Sequence, residues 1–157
     1  MDEKQFRQAM GKFATGVTVI TTSDGKDIHG MTANAFMSVS LDPKLVVISV
    51  NNRAQMYEKI QQTKTYAVSI LNETQSDISM HFAKQKQLDR SVEFEQLNGL
   101  PVIKDALAFI TCDLEEAFKA GDHTLFLGRV TGIKINEKKK KPLTYFEGNY
   151  GTILSFD

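Results

Sequence analysis

The chain has no tryptophan, one cysteine, three prolines and three histidines in 157 residues. A lone Cys112 excludes an internal disulfide and a zinc cage built on several thiolates. Its setting, Phe109-Ile-Thr-Cys-Asp-Leu114, is strand-like, where a thiol behaves as a small inert hydrophobe rather than a nucleophile. His29, His81 and His123 are scattered, so no metal site is expected. An excess of one charge is also missing: 19 basic residues balance 19 acidic ones, and no global field favours nucleic acid or an anionic membrane. The one basic run, Lys138 to Lys141, precedes Pro142 and has no interleaved aromatic on which a base could stack, so it reads as a solvated turn. Met1-Asp-Glu-Lys-Gln carries both signs of charge and leads into no long apolar run. Neither signal peptide nor membrane span is expected, which leaves the cytoplasm as the default compartment.

The length suits one domain over residues 1–157 with a substantial core. Phe6, Met10 and Phe13 recur at spacings of four and three, predicting a short amphipathic helix. Val17 to Thr22 is β-branched, and Asp24-Gly25 supplies a turn returning through Ile28 to Val39 as a second strand. Leu45 to Val50 reads as a third strand, Ala54 to Gln62 as a helix with Met56 and Ile60 on one face, and Thr65 to Leu71 as the next strand. Glu73 to Lys84 has helical spacing through Ile78, Met80 and Phe82, whereas Gln85 to Asn98 is polar without a period and reads as an excursion loop. Two long strand-like runs, Ala106 to Phe118 and His123 to Ile135, flank Lys119-Ala-Gly-Asp122, a second hairpin. Many strands at short spacing with few helices predict a mainly β, antiparallel barrel. No Gly-x-Gly-x-x-Gly follows a strand, which disfavours a Rossmann nucleotide fold.

The segment Gly30-Met-Thr-Ala-Asn-Ala-Phe-Met-Ser-Val-Ser-Leu-Asp-Pro43 fits neither an apolar alternation nor a charged solvent face. Its small hydroxyl and amide side chains let donors approach a flat ligand rich in carbonyls and ring nitrogens, such as a flavin. Gly30-Met-Thr-Ala-Asn34, Ser38-Val-Ser-Leu-Asp-Pro43, Phe13-Ala-Thr-Gly-Val17 and Gly121-Asp-His123 occur in this order. Together they resemble the flavin reductase-like family, whose fold is the FMN-binding split barrel, from about Phe6 to Tyr150. Two departures are Ala35, where the family often has serine, and Asn51-Asn52-Arg53, a segment that varies in the family.

The resemblance implies an NAD(P)H-dependent reductase that moves hydride to FMN, or to FAD, and supplies reduced flavin to a partner monooxygenase. It also implies a homodimer with sites near the subunit boundary. Met31, Thr32, Ala33 and Asn34 would then face the isoalloxazine, although Asn34 could instead stabilise a bulge in its own strand. Ser38 and Ser40, two apart on a strand, share one face and would line the ring and ribityl chain, unless one simply caps the turn at Asp42-Pro43. Ser49, Asn51, Asn52 and Arg53 sit where a strand meets a helix. Free N–H groups and a guanidinium fork there suit a phosphate, with N-capping by Asn51 or Asn52 the plain alternative.

By the same resemblance Phe82 packs on the flavin and Lys84 reaches its phosphate; otherwise both simply finish a helix. His123 is placed at the nicotinamide side, orienting a ring by hydrogen bonding, with Asp122 fixing the corner or the imidazole tautomer. Tyr150 flanks the nicotinamide pocket, while Tyr145 and Phe146 read as an edge strand closing the barrel. The rival expectation is a flavoredoxin-like FMN electron carrier with no nicotinamide turnover.

Overall fold

The structure is a computed structural model and describes residues 1–154; the last three residues of the expected 1–157 domain lie outside the described residues. The chain runs α1 (Glu3–Gly11), β1 (Thr15–Gly16), β2 (Thr18–Ser23), β3 (Ile28–Ala33), β4 (Phe36–Leu41), β5 (Lys44–Asn51), α2 (Gln55–Thr63), β6 (Thr65–Ile70), α3 (Ser76–Phe82) and β7 (Phe94–Leu97). It continues through β8 (Leu100–Ile103), β9 (Ala108–Ala120), β10 (His123–Ile135), β11 (Thr144–Phe146) and β12 (Asn149–Gly151).

Seven strands form one antiparallel sheet in the order β3-β2-β6-β9-β10-β5-β4. Strands β3 and β4 stand at its opposite edges, yet only Asn34 and Ala35 separate them along the chain. Laid flat, six steps of about 4.8 Å would part these edges by roughly 29 Å. The three Cα steps from Ala33 to Phe36 span at most about 11 Å. The sheet therefore has to roll up until its edges meet, and the result is the expected antiparallel split barrel.

The pattern of side chains explains the roll. On β5, Val46, Ile48 and Val50 are buried while Leu45, Val47 and Ser49 are only partly covered, so one face turns inward. Those three pack with Ile20, Tyr66, Val68, Cys112 and Phe126 from four other strands, and Met56 and Ile60 of α2 plug the same interior. Each such buried side chain contributes roughly 1.5–3 kcal/mol. Tyr66 crosses this interior and donates its hydroxyl to the Phe126 carbonyl at 3.2 Å. Gly128 makes the crossing possible, because a Cβ there would lie 2.8 Å from both Tyr66 Cζ and Cys112 Cβ. Strands β2 and β6 are buried on both faces; their outer sides meet Ile78 of α3, the β8 residues Leu100, Val102 and Ile103, and Phe109 and Leu143.

Several expectations need correction. The single strand foreseen from Ile28 to Val39 is broken at Asn34–Ala35, where the Phe36 N–H donates to the Asn34 carbonyl at 3.0 Å and turns the chain toward the other sheet edge. Ser38 and Ser40 do not simply share a face, because Ser38 pairs with Val46 and Ser40 with Leu45, leaving Val39 as a bulge. The foreseen loop from Gln85 to Asn98 ends in β7, which pairs with β8 through Asn98 and Gly99, both at positive φ. That Asn-Gly pair is the favoured type I′ hairpin signal, obscured by the polar run before it. The β9 strand starts at Ala108 rather than Ala106, and its hairpin with β10 narrows to Gly121 and Asp122. Tyr145 and Phe146 do not close the barrel: β11 lies in a separate three-stranded sheet ordered β1-β11-β12. Helix α1 forms, but none of its residues is buried.

Candidate functional site

The Asn34–Ala35 joint is the centre from which the site is built. The Ser49 N–H donates to the Ala35 carbonyl at 3.1 Å, bringing β5 against the joint. Asn34 and Ala35 are exposed, while Met31, Thr32 and Ala33 are half-buried along the β3 edge. This edge borders two cavities that share Thr32 and Ala83. The first, about 130 Å³, lies against Ala33, Asn34, Ser79 and Tyr150. The second, about 320 Å³, lies among His29, Met31, Ala54, Phe82 and Lys84.

Each wall has a local cause. Helix α3 ends with Lys84 in the left-handed region (φ 57°), its N–H donating to the His81 carbonyl at 3.0 Å and the next N–H, of Gln85, to Met80 at 2.9 Å. This terminating pattern leaves the Lys84 side chain exposed at the groove. The Phe82 ring lies over Gly30, where an added Cβ would sit 2.5 Å from Phe82 Cε1; the close approach requires glycine. Helix α2 starts from Ala54, which has no side chain able to cap it, and Ala54, Gln55 and Met56 of this first turn border the second cavity. His29 Nε2 lies 3.0 Å from Asp24, which also lies 3.5 Å from the Lys59 ammonium. The Asp27 N–H, His29 and the Lys26 N–H together hold the Asp24 carboxyl well below the usual carboxylate range.

The strand end beyond Ser49 forms a second cluster. His123 pairs with Asn51 across the β5–β10 ladder, and its Nδ1 lies 2.8 Å from Asp122. The hydrogen bond to His123 and its charge, with a smaller effect of Arg53, lower the Asp122 carboxyl. Asn52 is occupied: its carbonyl oxygen accepts from the Thr124 hydroxyl at 2.7 Å and its amide donates to Gly121 at 3.4 Å. Asn51 accepts from the Arg53 N–H at 2.8 Å, so neither asparagine caps α2, and the plain alternative to a phosphate role does not hold.

The residues singled out from sequence thus divide. Met31 to Asn34, Phe82, Lys84 and Tyr150 share the two cavities, with Arg53 one residue before the Ala54 wall. Ser49, Asn51, Asn52 and His123 gather along the adjoining strand end. Ser38 and Ser40 recede from both: Ser40 lies opposite Leu45, four residues from Ser49, or about 13 Å along the strand. Ala54, Ser79, Ala83 and His29 were missed. Nothing in the sequence sets Ser79 apart within its helix, and His29 had no motif to mark it.

A rolled antiparallel sheet, with two small cavities along its β3 edge walled by α2, α3 and β12, defines a protein of the split-barrel class. The model of the flavin reductase like domain matches residues 10–154, and the chain belongs to that family. An NADH-dependent flavin reductase of a Rhodococcus species is 42% identical over 150 residues, covering 94% of this chain and 84% of the relative. The NADH-dependent flavin reductase StyB of Pseudomonas fluorescens is 38% identical over 154 residues, 96% of this chain and 89% of the relative. Among solved structures, the flavin reductase PheA2 in its native state superposes with a TM-score of 0.95 at 58% identity, covering 99% of this chain and 100% of that one.

Proposed function

We propose that the protein is a nicotinamide-dependent flavin reductase, with NADH as hydride donor and FMN, or FAD, as acceptor, serving a partner monooxygenase. The observation that carries this reading is the seam groove. Its two adjoining cavities share Thr32: one sets Met31 beside the uncapped helix start at Ala54 and the exposed Lys84, the other sets Ala33 and Asn34 beside Tyr150. The donor set fits a flavin: amide and backbone groups for the ring, and N–H groups with positive charge for a phosphate. Asn34 donates to and accepts from the ring edge; Arg53, Lys84 and the α2 N–H groups hold the phosphate; Phe82 packs beside the ring. Ser49 and Asn51 line the adjoining strand end.

With both ligands bound, the nicotinamide would supply the hydride and the flavin would accept it, chemistry that belongs to the two rings. The chain supplies proximity and face selection, and needs no acid or base for the transfer. His123, held by Asp122, orients the nicotinamide from the β10 corner, and Tyr150 flanks it from β12. The relatives named as NADH-dependent favour turnover over the electron-carrier reading.

Three coarser points belong to the same proposal. The chain acts as one domain, since both core clusters share the seven-stranded sheet. It works as a homodimer: Met37 and Leu41, 60% and 87% exposed, lie on the edge strand β4, an apolar edge that a second copy would cover. No helix among the described residues is long and apolar enough to cross a membrane, and a cytoplasmic location suits use of NADH.

The test is direct. Purified protein with catalytic free FMN should consume excess NADH over many turnovers, and Asn34→Ala and Arg53→Ala should each weaken FMN binding at least fivefold. Bleaching of one equivalent without turnover would support the carrier instead, and unchanged affinity in both variants would refute this placement. Sedimentation should give twice the mass of 17.6 kDa.

A further inference from the structure

Ser79 is the one residue at the seam with contacts in two directions. Its side chain is 0% exposed, in the middle of α3. Its carbonyl accepts the Thr32 hydroxyl at 2.6 Å, tying the helix to the β3 edge. Its own hydroxyl lies 2.7 Å from the Tyr150 hydroxyl. Tyr150 belongs to the small β1-β11-β12 sheet, outside the barrel ladder, and stacks edge-on against Tyr145 at 5.5 Å between ring centres. Thr32, Ser79 and Tyr150 all border the same 130 Å³ cavity as Asn34.

Two hydroxyls sharing one hydrogen bond have two protons between them. If Tyr150 gave its proton to Ser79, the Ser79 O–H would need another acceptor in a position closed to water, and none is present among the described hydrogen bonds. A buried donor left without a partner is costly, so Ser79 donates and Tyr150 accepts. The Tyr150 O–H is then released to donate into the cavity beside Thr32 to Asn34.

We infer that Ser79 is a positioning residue: it orients the Tyr150 hydroxyl as a donor to a carbonyl oxygen of one of the two stacked rings, the nicotinamide carboxamide or a flavin carbonyl. This rests on the reductase reading above. The Thr32 bond keeps Ser79 in register with the ring-binding edge, so the donor on the C-terminal sheet and the wall on β3 stay aligned.

The test combines Ser79→Ala, Tyr150→Phe and the double variant in steady-state NADH oxidation and in FMN titration, with thermal unfolding to verify folding. Each single variant should raise either the KM for NADH or the Kd for FMN by roughly fivefold, with kcat changed less. The parameter that moves identifies which ring owns the carbonyl. The double variant should be no worse than Tyr150→Phe alone, because Ser79 acts only through the phenol. A Ser79→Ala penalty that persists in the Tyr150→Phe background would mean a merely structural role and overturn the inference, as would unchanged KM and Kd in Tyr150→Phe, which deletes only one oxygen. Absence of NADH turnover in the wild type would refute the reductase reading; normal wild-type turnover with silent variants would refute this inference alone.

Discussion

Gly30→Ala is the sharpest perturbation available at the seam. The new methyl carbon would lie 2.5 Å from Phe82 Cε1, 2.6 Å from Cδ1 and 3.3 Å from Cζ. Carbon atoms pack at about 3.5–4.0 Å, so the ring must withdraw by roughly 1 Å. Retreat is obstructed on two sides, by His81 edge-on at 5.0 Å and Phe94 at 6.4 Å between ring centres. The remaining direction is the groove. Overpacking of this kind costs about 1–3 kcal/mol. For a chain of this size each kcal/mol lowers Tm by about 2–4 °C, so a drop of roughly 2–12 °C is expected in thermal unfolding followed by circular dichroism. FMN affinity, read from quenching of flavin fluorescence, should fall at least fivefold as the ring invades the site. Phe82→Leu in the same chain removes the clashing ring edge and should restore most of the lost stability, giving a measurable coupling between the two positions. A wild-type Tm and a wild-type Kd for Gly30→Ala, or a double variant no better than Gly30→Ala alone, would refute the packing described for this wall.

Further outcomes follow from other parts of the molecule. Gly128→Ala forces Tyr66 off the Phe126 carbonyl and should destabilise the fold by about 2 kcal/mol with little effect on FMN affinity in the folded fraction, measured by urea unfolding and titration. Burial pushes the Cys112 thiol up to about 12 from 9.0. Here the unfolded chain loses its proton first, so stability falls as pH rises from about 9 toward 12; at pH 10 the penalty is on the order of 1 kcal/mol, and Cys112→Ala should make that part of the urea-midpoint profile shallower, leaving the fall due to the Tyr66 phenol, which burial also raises. The same thiol should resist a thiol-specific dye in native protein and react on unfolding. Asp122→Asn removes the anion beside His123 and should raise the KM for NADH severalfold while leaving FMN affinity unchanged, seen in initial-rate kinetics. Met37→Lys together with Leu41→Lys should shift the sedimenting species toward half its mass.

The sequence was most legible where one physical demand dominates. The apolar run Leu45 to Val50 and the spacing of Met56 and Ile60 each answer to the need to bury a face, and both elements appear within a residue of the expected bounds, at Lys44–Asn51 and Gln55–Thr63. Asn34–Ala35 was harder, because both flanks have strand character and each pairs only with its own hairpin neighbour, β2 or β5; that two strands exist shows only in the long-range β6-β9-β10 ladder that sets those hairpins at opposite ends of the sheet. The β7–β8 hairpin carried its own local signal in Asn98-Gly99, masked by the charged residues before it. Within the site, Asn34, Phe82, Lys84 and Tyr150 were legible through family motifs, whereas Ser79 and His29 depend on which surfaces α3 and β3 present to each other. Ser38 and Ser40 illustrate the converse: period-two reasoning fails at a bulge, since a single inserted residue redirects one side chain.

A cylinder whose two lips are joined by a two-residue hinge, with no main-chain pairing between them, behaves differently from a sealed one. Its curvature depends on all six remaining seams at once, so damage at a remote ladder such as β6–β9 moves the β3 lip along which the two cavities lie. Conversely, a guest held against that lip by α2, α3 and β12 steadies the hoop from one side, and occupancy at a hundred times Kd adds about 2.7 kcal/mol to the whole fold. The melting temperature in excess FMN is thereby a gauge of how firmly that lip is held.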